Sequence, residues 1–160
     1  MNTNRKFKII LPSDTELVME REFDAPRELV FQAHLDPKII PLWWGPRKYI
    51  TEVVEMDVRP GGKWRFIQRG DDGQEIAFFG EYREITPPER FINTFGFDGM
   101  PGEPGEEIYN FIDLGEGRTL LRSYSKFKTK EELDGLLQSG MEWGANETYD
   151  RLDEYLAQQG

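Results

Sequence analysis

Residues 118–157 read RTLLRSYSKFKTKEELDGLLQSGMEWGANETYDRLDEYLA, and this stretch decides the fold. Arg118–Phe127 forms the second arm of a hairpin with Glu106–Leu114, turning at Gly115-Glu116-Gly117. Thr129 is placed to cap a helix, and Glu131 and Glu132 fall in the first turn, where the macrodipole favours anions. That helix is expected to run to about Ala157, with Leu133, Leu137, Met141, Thr148, Leu152 and Leu156 roughly along one stripe. Gly140 and Gly144 interrupt it, each at a cost of ~1 kcal/mol against alanine in a helix interior. Close approach to something bulky is one reason to accept that cost; a kink, or a break into two helices, is the other.

Upstream lies a string of strands. Tyr49–Arg59 is followed by a turn at Pro60-Gly61-Gly62 and then by Lys63–Arg69. Gly70-Asp71-Asp72-Gly73 is a strong hairpin signal and leads into Gln74–Ile85. Pro87-Pro88-Glu89 makes a corner before Arg90–Phe97, and the Gly- and Pro-rich Asp98–Gly105 is a loop. Nearer the N-terminus, Leu17, Met19 and Phe23 alternate with Val18, Glu20 and Glu22 over Glu16–Phe23, the pattern of a half-buried strand. Asp24 is positioned to cap a helix with Pro26 in its first turn, and Leu29, Val30, Ala33 and His34 recur at helical spacing. A second short helix is expected over Pro37–Trp43, ending at Gly45-Pro46. Residues 1–15 read as an irregular lead-in with a short extended piece at Phe7–Leu11, and residues 16–160 as one domain.

This order is α+β: a curved antiparallel sheet of six to seven strands wrapped around a long C-terminal helix, with two short helices after the first strand. Such a sheet leaves space beneath the helix unless large side chains fill it.

Composition sets the class of partner. With 30 acidic and 20 basic residues the net charge is −10, a field that repels phosphate backbones, so nucleic acid is not expected. The absence of cysteine excludes disulfides, thiolate metal sites and cysteine nucleophiles, and fits a reducing, cytoplasmic setting. Ile9-Ile10-Leu11 is too short for a signal peptide core, and no apolar run approaches the ~20 residues of a membrane span. Aromatics make up 13% of the chain, as eleven Phe, six Tyr and four Trp, and such rings line concave sites as readily as they fill cores.

His34 is the single histidine, so no histidine metal cluster is available, and it reads as a structural or surface residue. No phosphate loop, dinucleotide fingerprint or nucleophile elbow occurs, so neither a cofactor nor a catalytic residue is assigned. Glu81 and Glu84 flank Tyr82 in a strand rich in aromatics, and Asn93, Asn110 and Arg122 are polar positions in otherwise apolar strands. Side-chain parity groups Trp64 with Phe66, Phe78 with Tyr82 across Gly80, Phe91 with Phe95 and Phe97, and Tyr109 with Phe111. Trp43 and Trp44, if helical, point about 100° apart and cannot both face one site. The cavity lining expected on these grounds is Trp43, Trp64, Phe66, Phe78, Tyr82, Phe95, Tyr109, Phe111, Met141 and Gly144. Trp143, off the helical stripe, is expected at the edge of such a cavity or of an opening.

Several stretches resemble the START-like, polyketide-cyclase-like (SRPBCC) superfamily: Arg21-Glu22-Phe23-Asp24-Ala25-Pro26, Trp43-Trp44-Gly45-Pro46, and Asp57-Val58-Arg59-Pro60-Gly61-Gly62-Lys63-Trp64. Gly80-Glu81-Tyr82-Arg83-Glu84-Ile85 and Ser139-Gly140-Met141-Glu142-Trp143-Gly144 sharpen the likeness to its bacterial branch, named after the activator of the heat-shock protein ninety ATPase. The resemblance spans about Glu16 to Leu156 and implies the helix-grip fold. It also implies a ligand, since relatives bind lipids, sterols, plant hormones or polyketide intermediates. The leading expectation is therefore a small aromatic or lipid-like molecule held between sheet and C-terminal helix. Two alternatives stand beside it: a cyclase or aromatase using Glu81, Tyr82, Asn93 or Arg122, and a chaperone-linked interaction protein. Edge strands leave homodimer formation open.

Overall fold

The structure, a computed structural model, describes residues 7–99 and 104–159. Its strands are β1 (Lys8–Ser13), β2 (Glu16–Phe23), β3 (Tyr49–Met56), β4 (Lys63–Gly70), β5 (Glu75–Thr86), β6 (Arg90–Phe97), β7 (Gly105–Gly115) and β8 (Arg118–Lys126). Its helices are α1 (Arg27–Leu35), α2 (Ile40–Trp43), α3 (Lys130–Gln138) and α4 (Met141–Ala157). The strands form one antiparallel sheet in the order β1-β2-β8-β7-β6-β5-β4-β3. This is the expected α+β helix-grip architecture, with α1 and α2 spanning from β2 to the far edge at β3.

The sheet has eight strands rather than six to seven. The extra one, β1, takes up the short extended piece expected at Phe7–Leu11, runs on to Ser13 and pairs with β2, Ile9 opposite Met19 and Ile10 opposite Val18. Its side chains are mostly exposed, so backbone pairing rather than a buried face makes it a strand. Of the Asp98–Gly105 loop, residues 100–103 lie outside the described residues, and Gly105 already begins β7.

Local chemistry moves several boundaries. Pro26, not Asp24, is the N-cap of α1, and its carbonyl accepts from the amides of Leu29 and Val30. Asp24 instead lies 3.5 Å from the Arg118 guanidinium. The strand expected to reach Arg59 stops at Met56, because 57–62 folds into a turn closed by Gly62 N–H donating to Arg59 O at 2.8 Å. That turn docks on β5, with Gly61 N–H donating to Tyr82 O at 2.7 Å and Tyr82 N–H donating to Gly62 O at 2.8 Å. Gly61 has φ +85, and at Gly62 a β-carbon would stand 1.9 Å from Asp57 O.

The long terminal helix is two. Gly140, at φ +87, adopts the left-handed conformation that ends α3 and opens α4. Neither glycine marks a tight approach: nothing lies within 4 Å of a β-carbon at Gly140, and one at Gly144 would meet Pro46 Cγ at an ordinary 3.7 Å. The helix against the sheet is α4, which buries Tyr149, Leu152 and Leu156. With them pack Phe23, Val30, Phe31, Trp43, Phe111 and Leu121 in one apolar core. The same face carries Arg21, fully buried, whose guanidinium lies 3.1 Å from Asp150 and 3.5 Å from Asp153 and so ties β2 to α4.

Candidate functional site

Pairing register aligns the inner face. Phe66 sits opposite Phe78, Trp64 opposite Gly80, Tyr82 opposite Asn93, and Phe91 opposite Tyr109. Gly80 is needed at the centre because the strand and the Trp64 ring close over it: a β-carbon there would stand 1.9 Å from Thr94 O and 2.6 Å from Trp64 Nε1. Above this face, the last turn of α1 delivers His34.

His34 is 9% exposed, so the sequence expectation of a structural or surface histidine is met only in its first half. Its ring is packed among Trp43, Phe111, Phe91 and Tyr109, with centroids 4.8, 5.1, 6.0 and 6.1 Å away. Nδ1 lies 2.8 Å from the Val30 carbonyl. A carbonyl only accepts, so Nδ1 carries the proton, and in the neutral ring Nε2 presents a lone pair. Burial pulls the imidazole down to a pKa of about 4, against the opposing effect of the Val30 bond, and keeps it neutral at physiological pH.

Beneath His34 is a cavity of about 50 Å³. Its helical side is made by His34, Ile40 and Trp44, and its sheet side by Trp64 and Phe66, Tyr82, Phe91, Asn93 and Phe95, and Tyr109. Trp44, Phe95 and Tyr109 are half-buried, so the cavity reaches toward the surface on their side. Three lining residues hold a buried polar atom without a hydrogen-bond partner among the described residues: His34 Nε2, Trp64 Nε1 and Asn93 Oδ1. Left unmet, each would cost ~1–3 kcal/mol.

A carboxylate flanks this site. Glu107, opposite Asn93, accepts from the Tyr109 hydroxyl at 2.6 Å. Burial raises its pKa, while the bonds from Tyr109 and Ser125 act in the other direction. Burial also raises the phenols of Tyr82, Tyr109 and Tyr149. Tyr82 and Tyr109 were expected at the cavity, but the half-buried Glu107 was not singled out in the sequence, because it lies beside the exposed Glu106 in an acidic pair and only strand parity separates them.

Of the ten residues expected to line the space, Trp64, Phe66, Tyr82, Phe95 and Tyr109 surround this cavity. Trp43, Phe78, Phe111, Met141 and Gly144 do not. Trp43 belongs to the core, donating Nε1–H to Ala33 O at 3.1 Å and stacking on Tyr149, while Phe78 backs Trp44 from outside. α2 ends at Trp43, so Trp44 continues in extended conformation and its ring turns to the cavity instead. Trp143 is 54% exposed under the Lys48 ammonium and stands apart from the cavity. Among the polar candidates, Tyr82 and Asn93 face inward. Arg122 pairs with Glu20 at 2.7 Å on the outer face, with Asn110 opposite it, and Glu84 accepts from Arg90 at 3.0 Å. Glu81 lies opposite Lys63, on the parity that faces away from the cavity.

A larger outer groove of about 250 Å³ runs past Arg65, Glu75 and Asp98, but these charges are already engaged, Arg65 with Asp98 at 2.8 Å and Glu75 with Arg69 at 2.6 Å. Among the described residues no group of three or more His, Cys, Asp or Glu is placed to hold a metal ion, and no helix is long and apolar enough to cross a membrane.

Comparison with known proteins places this geometry in company. Residues 24–157 match the family model described as Activator of Hsp90 ATPase homolog 1-like protein. A protein of Rhodobacter sphaeroides superposes with a TM-score of 0.87 at 27% identity, over 96% of this chain and 99% of that one. Protein Ms6760 of Mycobacterium smegmatis superposes with a TM-score of 0.83 at 26% identity, over 93% and 95%. A protein of Silicibacter pomeroyi named AHSA1 shares the fold, with a TM-score of 0.74 at 21% identity over 91% and 99%. No curated protein sequence matches.

Proposed function

The chain belongs to the family described as Activator of Hsp90 ATPase homolog 1-like protein, and from this premise we propose that it binds a small, chiefly apolar molecule in the cavity between α1, α2 and the sheet. The observation that carries the reading is a hollow walled by Trp44, Trp64, Phe66, Phe91 and Phe95 at the side of the apolar core. Flat rings on several sides suit a planar guest, which gains dispersion contacts on both faces.

Size narrows the guest. Drug-sized ligands occupy roughly 300–1,000 Å³, and about 50 Å³ is well short of that. The occupant is a single ring or smaller, not a lipid chain.

Tryptophan emission tests the reading, since Trp44 and Trp64 form two of the walls. In a Trp143→Phe background, which removes the exposed indole, titration with toluene, phenol and cyclohexanol should change emission saturably. A flat response to all three up to their solubility limits would remove the proposal.

A further inference from the structure

The cavity's unmet atoms are of opposite kinds. His34 Nε2 is an acceptor, because Nδ1 holds the ring proton against Val30 O. Trp64 Nε1–H can only donate. The side-chain amide of Asn93, 6% exposed, can turn to offer either end. Water or a purely apolar guest treats these atoms differently: the first can satisfy them, the second leaves all three stranded. A guest that displaces water from here binds best when it reproduces the bonds to His34 Nε2 and Trp64 Nε1. No Lys or Arg lines the cavity and the Glu107 carboxylate flanks it, so an anionic guest would be buried without a counter-charge.

Room is the remaining constraint. An engineered cavity of ~150 Å³ holds benzene, about three times the present volume. Trp44 is the wall able to give way. It is half-buried and packed edge-on against Phe66 and Phe78, with centroids at 5.1 and 5.3 Å. Its backbone is pinned, Trp44 O accepting from Thr51 Oγ1 at 2.7 Å and Gly45 O from Arg151 at 2.8 Å. The ring can therefore rotate while the chain that carries it stays in place.

We propose that the guest is a neutral, ring-sized molecule with a donor and an acceptor on one edge, as in a phenol or a small aromatic amide. Its donor bonds His34 Nε2, its acceptor takes the Trp64 indole N–H, and Trp44 swings outward to admit the ring. This rests on the binding reading above and specifies the chemistry of its ligand.

A series on one ring tests it: phenol (donor and acceptor), anisole (acceptor only), toluene (neither) and benzoate (charged), each titrated into the full chain with ¹H–¹⁵N NMR as readout. Phenol is expected to bind at least tenfold tighter than toluene, with anisole between them and benzoate weakest. The Trp64 indole proton is expected to move downfield with phenol and to stay in place with toluene. In Trp64→Phe anisole should lose its advantage over toluene, while phenol keeps the part due to His34 Nε2; if that variant does not fold, the wild-type indole shift carries the test alone. Toluene binding as tightly as phenol, with cavity residues perturbed, would overturn this inference and leave the cavity reading standing. Benzoate binding more tightly than phenol would overturn the requirement for a neutral guest. No member perturbing any cavity residue would overturn the binding reading itself.

Discussion

Nδ1 of His34 lies 2.8 Å from the carbonyl of Val30, one helical turn back on α1, and this bond fixes which nitrogen faces the rest of the protein. The ring is held neutral among four aromatic rings in the middle of the core, and that has a consequence for stability.

The unfolded chain protonates His34 below a pKa of 6.5, whereas the folded chain resists until about 4. Above pH 6.5 both states are neutral and the residue is silent. From pH 6.5 down to 4 the unfolded state alone gains the proton, so folding weakens, by about 3 kcal/mol in total for a shift of that size. Glu107 has the opposite sign: its raised carboxyl favours the folded state at low pH, and that contribution is lost as pH rises above 4.5. Subtracting the urea-denaturation curve of His34→Phe from that of the wild type removes the Glu107 contribution. The difference should slope between pH 6.5 and 4 and be flat above; a flat difference throughout would contradict the buried neutral imidazole.

The adjacent tryptophans should behave differently. Trp43 is 2% exposed and donates to Ala33 O, so Trp43→Ala should cost ~3–5 kcal/mol. Trp44 is half-buried with no hydrogen bond from its ring among the described residues, so Trp44→Ala should cost less than half as much and should enlarge the cavity. Equal losses in chemical denaturation would refute this division of roles.

Arg21 makes the asymmetry of a buried ion pair measurable. Replacing both Asp150 and Asp153 with alanine leaves a fully buried guanidinium without its carboxylates, and should cost ~3–5 kcal/mol. Adding Arg21→Met to that double variant should restore most of the loss, because methionine fills similar volume without a charge. A triple variant no more stable than the double would show that the carboxylates act through something other than Arg21.

Gly61 and Gly62 are adjacent but constrained for different reasons. At Gly61 the constraint is φ +85 with open space around it, so Gly61→Asn should be tolerated better than Gly61→Ala. At Gly62 it is the missing room beside Asp57 O, so alanine and asparagine should both destabilise by at least ~1–3 kcal/mol. Thermal unfolding of the four variants distinguishes the two cases.

Much of the fold was legible because strand alternation and turn chemistry are local. The hairpin glycines, the Thr129 cap, whose Oγ1 accepts from Glu132 N–H at 3.1 Å, and the parity of Trp64, Phe66 and Tyr82 all follow from near neighbours in the chain. The misses are non-local. That the extended piece at Phe7–Leu11 joins the sheet as β1 was not legible, because it carries no buried face and is held by its pairing with β2. Whether Gly140 would kink a helix or end one depended on φ, which composition does not encode. Trp44 replaced Trp43 at the cavity because α2 stops one residue before it. Helical spacing put His34 on the apolar side of α1 with Leu29, Val30 and Ala33, but the rings from α2, β6 and β7 that converge on it lie outside residues 27–36.

The most direct test of the binding account is a high-resolution crystal structure grown with phenol. A ring is expected between Trp44 and the sheet, with Trp44 rotated outward and the phenol oxygen within ~3.2 Å of both His34 Nε2 and Trp64 Nε1. An interior closed over, with those nitrogens and Asn93 Oδ1 bonded to protein atoms and no ring present, would contradict it.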